Sequence, residues 1–136
     1  MNGRPWVAGL CLLLLAGCGS RMAGTYRAEA RQVAGKPEST QPGYTLADIR
    51  QKLRDDPRTL ALLRNGRYSK DNGVNEGTWR VEGDTLILHD DTSQGVHIQA
   101  ALQLERKWPI GPNGEIISTS DYCAYNVELV YRRHGR

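Results

Sequence analysis

The turn inside GTWRVEGDTLILHD, residues 77–90, constrains the fold more than any other stretch. A two-residue turn at Gly83-Asp84 pairs Val81 with Leu86 and Trp79 with Leu88, the register such a hairpin loop imposes. All four side chains then lie on one face, with Arg80, Thr85, Ile87 and His89 on the other. A one-residue slip would move the whole apolar set to the wrong side. The next run, VHIQAALQLERKW from Val96, keeps the same period. Val96, Ile98, Ala100, Leu102 and Leu104 alternate with His97, Gln99, Ala101, Gln103 and Glu105, the pattern of a half-buried strand. Closing the loop over Thr92–Gln94 symmetrically sets Leu88 opposite Ile98 and Leu86 opposite Ala100. Two registers chosen independently thus predict one apolar face.

The remaining chain fits the same grammar. RTLALLRNGRYSKD turns at Asn65-Gly66. A two-residue turn there pairs Leu63 with Tyr68. A three-residue loop with Gly66 in the left-handed position pairs Leu62 with Tyr68, and it is preferred because it brings Leu60 to the same face. Residues 24–30 and the stretch from Tyr122 to Arg133 read as first and last strands, the latter with Cys123, Tyr125, Val127, Leu129 and Tyr131 inward. Between Gly43 and Pro57 the period changes to helical. Thr45 and Asp48 form a variant capping box, and Leu46, Ile49 and Leu53 share one face. The expectation is a mostly β chain: a small antiparallel meander or barrel of six to eight strands, with one short amphipathic helix near residues 45–55 packing on it as a lid or plug. Ile87, Ala101 and Val130 are expected on the outer face.

The N-terminus fixes an address. Val7–Leu15 is apolar apart from Gly9 and follows a start whose one charge is Arg4. Nine residues fall short of the roughly 20 a membrane-crossing helix needs, so residues 1–17 read as a secretory signal peptide. Leu15-Ala16-Gly17-Cys18 resembles the lipobox of bacterial lipoproteins. That resemblance implies cleavage before Cys18 and diacylglyceryl transfer to its thiol. Gly19, where an aspartate would imply inner-membrane retention, implies the outer membrane, facing the periplasm. Residues 18–23 then form a tether, and 24–136 a single β-rich domain. At no more than about 3.5 Å per residue, the five residues Gly19–Ala23 reach under about 20 Å.

Composition narrows the function. Removing residues 1–17 leaves 119 of 136 residues and takes away one charge, so 17 basic and 15 acidic side chains give a net of +2. That balance carries no nucleic-acid signature. With Cys11 discarded and Cys18 acylated, Cys123 has no partner for an intrachain disulfide and reads as a buried apolar filler. No nucleophile elbow, zinc-protease helix or phosphate loop occurs, so the chain reads as non-enzymatic.

A further resemblance comes from T-L-A-L-L-R-N-G-R-Y, G-T-W and G-D-T-L-I-L, over about residues 59–88. It is similar to small lipocalin-like envelope lipoproteins, in particular to the N-terminal domain of the copper-resistance and envelope-stress lipoproteins. The resemblance implies a lipocalin-like barrel. This chain lacks that family's C-x-x-C pair, so no copper or redox role carries over.

Two candidate sites follow from the registers. A closed sheet would line its interior with Trp79, Val81, Leu86, Leu88, Ile98, Ala100 and Leu102, and with no Phe in the chain and Ala100 at mid-wall a hydrophobic small molecule could fit. The ordinary alternative is an interior filled by side chains. The same register sets His89 opposite His97, with Asp91 nearby, where cross-strand Cβ atoms are about 5 Å apart and a zinc or copper ion could be held. The ordinary reading of that trio is two exposed histidines beside a polar loop. The function expected is a binding or envelope-sensing module joined to the membrane by its lipid, with no cofactor beyond the lipid on Cys18. The alternative is an accessory subunit that contacts other envelope proteins.

Overall fold

A computed structural model describes residues 21–135, and residues 1–17, expected as a signal peptide, and Cys18 lie outside the described residues. The strands are β1 (Gly24–Gln32), β2 (Thr59–Leu62), β3 (Arg67–Lys70), β4 (Asn75–Glu82), β5 (Thr85–Ser93), β6 (Val96–His97), β7 (Glu105–Pro109), β8 (Ile116–Ser118) and β9 (Val127–Arg133), with helix α1 (Leu46–Asp55) between β1 and β2. All pairings are antiparallel, in the order β6-β5-β4-β3-β2-β1-β9-β8, and β7 also pairs with β5. The sheet curls into a half-barrel. A single bridge, Ile110 to Ile116, links β7 to β8 and draws its two flanks together.

Both local hairpins take the expected registers. Trp79 faces Leu88, Val81 faces Leu86, and Leu62 faces Tyr68 around Gly66, whose φ of 84° is the left-handed value the three-residue loop needs. Helix α1 begins at the Thr45 cap. The Thr45 hydroxyl accepts from the Asp48 amide at 3.1 Å, and the Asp48 carboxylate accepts from the Thr45 amide at 3.3 Å. Those bonds hold the Asp48 carboxyl below the usual carboxylate range. Ile49 and Leu53 are buried beneath the helix.

The helix is needed where it lies. β2 covers only Gly24–Arg27 of β1, leaving the edge of β1 from Ala28 onward without a strand. There the Ala28 amide donates to the Arg58 carbonyl at 3.0 Å, and Arg50 Nε donates to the Ala30 carbonyl at 3.2 Å. The open edge is thereby satisfied by the segment that carries α1.

The segment after β5 departs from its pattern. Val96–Leu104 is not one strand: β6 ends at His97, a 3-10 turn spans Ala100–Leu102, and β7 takes the place beside β5. Leu88 faces Arg106 and Leu86 faces Trp108, in place of Ile98 and Ala100. The reason lies at Asp90, which points inward and is 3% exposed. The symmetric register would set Val96 opposite that carboxylate. The observed one brings Arg106 Nη2 to 2.9 Å from it, and a buried carboxylate without such a partner is costly. Trp108 fills the volume that Ala100 would leave empty and stacks on Tyr131 at 5.7 Å.

Three further placements differ from expectation. Cys123 lies in a 3-10 turn ahead of β9 and is exposed, because β9 begins only at Val127. Ile87 and Val130 point away from the core yet are buried at 2% and 1%. Each sits on a central strand between flanking neighbours, Arg80 and Lys107 for Ile87, Glu29 and Ile117 for Val130, whose stems can cover a branched side chain. Ala101 is exposed as expected.

Candidate functional site

The expected lining divides in two. Leu86 and Leu88 are in the core, with Trp79 and Val81 packed partly buried against it. Ala100 and Leu102 are exposed on the excursion between β6 and β7, Leu102 at 66%, and Ile98 is half-buried there, so none of the three lines the interior. Their places are taken by residues from other strands: Tyr26, Leu60, Leu62, Tyr68, Trp108, Ile116, Leu129 and Tyr131 are each 1% exposed or less.

The metal trio is dispersed. His89 faces Glu105 and His97 faces Thr92. His89 Nε2 hydrogen-bonds Gln103 Oε1 at 2.6 Å, and His97 is exposed. Asp91 accepts a fork from Arg67, at 2.5 and 3.0 Å, which holds its carboxyl below the usual range. Among the described residues no three or more His, Cys, Asp or Glu side chains are grouped to hold a metal ion.

Two charged constellations emerge instead. The first is inside, in the half of the barrel away from the chain's entry into β1. Asp90 accepts from the Tyr68 hydroxyl and from Asn75 Nδ2 at 3.5 Å, and pairs with Arg106. Burial raises its pKa, and Arg106 opposes that rise. Lys70, 5% exposed, extends its ammonium to 3.7 Å from Asp121 and lies 5.7 Å over the Trp108 ring. Ser118 donates to Asp121 at 3.2 Å. The Tyr131 hydroxyl is buried without a hydrogen-bond partner, and burial pushes its pKa well up. These groups largely satisfy one another.

The second is outside. A hollow of about 500 Å³ lies alongside β1 and is lined by Arg27, Arg50, Arg54, Arg132, Arg133 and His134, with Ala28, Ala30 and Leu53 beneath and Glu29 as its one acid. Arg27 and Arg132 are directly opposed across β1 and β9. Like charges in that relation repel.

No family model, curated protein or solved structure matches this chain.

The site therefore rests on its own geometry. Arg133 Nη1 donates to the Ala23 carbonyl at 2.7 Å, and Nη2 to the Arg21 carbonyl at 2.5 Å. The Tyr26 hydroxyl donates to the Met22 carbonyl at 2.6 Å. The chain entering β1 is thus fastened to the rim of the hollow. Neither constellation was legible in a local pattern. The five arginines lie on three elements between positions 27 and 133, and only the β1–β9 register and the placement of α1 gather them. Arg106 carried a usable signal, because Leu104-x-Arg106-x-Trp108 continues the alternation into β7.

Proposed function

We propose that the protein is a non-enzymatic lipoprotein of the bacterial cell envelope, held at the outer membrane on its periplasmic side by acyl chains on Cys18. It acts as a binding or envelope-sensing module through the surface of its barrel. The observation that supports working from the surface is the interior itself: its largest buried side chains, Trp108, Tyr26, Tyr68 and Tyr131, are 1% exposed or less, whereas a basic hollow opens on the outside next to the chain's entry. A hydrophobic ligand inside would have to displace Trp108 and Tyr131 from their stack.

A second reading, an accessory subunit acting through protein contacts, is favoured by one feature. Val96, Leu102 and Leu104 are 68%, 66% and 63% exposed on the excursion between β6 and β7. Exposed apolar side chains gathered on one segment are a common mark of a contact surface.

Mass spectrometry of the N-terminal peptide from bacterial membranes tests the anchoring. The mature chain is expected to begin at Cys18 and carry diacylglycerol, and Cys18→Ser is expected to leave the membrane-anchored fraction empty of mature protein. A mature chain beginning elsewhere, with a free Cys18 thiol, contradicts the proposal.

A further inference from the structure

We infer that the arginine hollow beside β1 receives the phosphate of an anionic phospholipid headgroup when the barrel rests on its bilayer. The inference builds on the lipoprotein reading above, which supplies the bilayer.

Charge distribution is the first support. Five of the chain's 18 lysines and arginines line one hollow that holds one of its 15 acids, although the formal net charge of the whole chain is only +3. The one acid, Glu29, is already bound to Arg132 at 3.0 Å. Arg27, Arg50 and Arg54 make no ion pair with any described residue; Arg50 reaches a backbone carbonyl, and Arg54 reaches Gln51 Oε1 at 2.7 Å. The direct opposition of Arg27 and Arg132, offset by Glu29 on the Arg132 side alone, is relieved once an anion lies between them. Guanidinium groups suit that anion, because their forked donors match phosphate oxygens two at a time.

Position is the second support, and it selects a lipid over a soluble anion. Arg133 lines the hollow and also holds the carbonyls of Arg21 and Ala23. Cys18 precedes Arg21 by three residues, at most about 10 Å of extended chain. An acyl chain on Cys18 therefore brings the bilayer to the rim, where headgroups stand at high effective concentration.

The test uses the protein purified from bacterial envelopes in nonionic detergent, titrated calorimetrically with dihexanoyl-phosphatidylglycerol, dihexanoyl-phosphatidylcholine and inorganic phosphate. Saturable binding of the phosphatidylglycerol is expected, at least tenfold tighter than either of the others. Arg27→Gln/Arg54→Gln is expected to weaken it at least tenfold with an unchanged circular dichroism spectrum and a melting temperature that does not fall. Lys107→Gln, which removes a cation from the outer face of β7, is expected to change it less than twofold. Equal affinity for the two lipids, or no heat with either, overturns the inference. Phosphate bound as tightly as phosphatidylglycerol overturns the lipid as the occupant. The mass of the Cys18 peptide from the same sample separates the two proposals: an acylated Cys18 without phosphatidylglycerol binding sinks the hollow alone. An unmodified Cys18 with binding intact sinks the anchor, and with it the bilayer contact inferred here.

Discussion

The two ends of this barrel are built on opposite plans. At the end where the chain enters, the interior is apolar, with Tyr26, Leu62, Leu86 and Ile116 buried, and the cations are outside, on Arg27, Arg132 and Arg133. At the far end the charges are inside, in the Asp90–Arg106 and Lys70–Asp121 pairs, and the apolar side chains Val96, Leu102 and Leu104 are outside. A folded chain that only had to bury its apolar groups would be built like the chain-entry end throughout, and only the far end inverts that plan. The difference gives the barrel a direction: a basic end fitted to an anionic surface, and an apolar outer patch pointing away from it.

The sharpest way to break the far end is to strand its carboxylate. Arg106→Met removes the cation from Asp90, and a loss of about 3 kcal/mol is expected, the low end for breaking a buried pair because Arg106 is itself 28% exposed. The pH dependence carries the sign. Without Arg106 the Asp90 pKa, already raised by burial, rises further. The variant is then expected to be most stable in acid and to lose stability as pH rises through that raised value, a trend that urea melts from pH 4 to 8 would show. At the chain-entry end the equivalent test is apolar. Leu86→Ala is expected to cost about 2–4 kcal/mol with no new pH dependence, because it removes packing and strands no charge.

A smaller effect separates Asp91 from its neighbour. Its pKa is lowered, first by the hydrogen bonds from Arg67, so its contribution is full above the ordinary carboxylate value and fades as pH falls through the lowered one. Asp91→Asn is expected to flatten the acid limb of the stability profile below about pH 4. The smallest expected change in stability is also the most specific. Arg27→Glu replaces a cross-strand repulsion with an attraction to Arg132, so it is expected to raise stability by about 0.2–1 kcal/mol while abolishing phosphatidylglycerol binding. A gain in stability together with a loss of binding marks a residue kept for a ligand.

What the sequence disclosed was local. The Gly83-Asp84 turn fixes the pair Val81–Leu86, and at Asn65-Gly66, where two loop lengths give different registers, the apolar face shared with Leu60 selects Leu62–Tyr68. Thr45 and Asp48 fix the helix start. Beyond β5 the choice lay between two alternating segments, and alternation alone could not decide it. The preference for Arg106 and Trp108 over Ile98 and Ala100 depends on Asp90 being buried, which is a consequence of the whole sheet. The wall residues Ile98, Ala100 and Leu102 and the facing pair His89 and His97 fell with that one register. The arginine hollow was hidden for a related reason, since Arg27 and Arg132 meet only after the first and last strands pair.

Orientation on the membrane tests the contrast between the ends most directly. Cys123 lies at the far end, ahead of a seven-residue strand that runs about 20 Å to the chain-entry end. It is exposed, and once Cys18 is acylated it is the free thiol available for a fluorophore. A second label goes on the β2–β3 turn at the opposite end in Cys123→Ser/Asn65→Cys. In vesicles containing phosphatidylglycerol and headgroup-region nitroxide lipids, strong quenching of the label at position 65 and almost none of the label at Cys123 is expected. Equal quenching of the two, or stronger quenching at Cys123, would contradict the account.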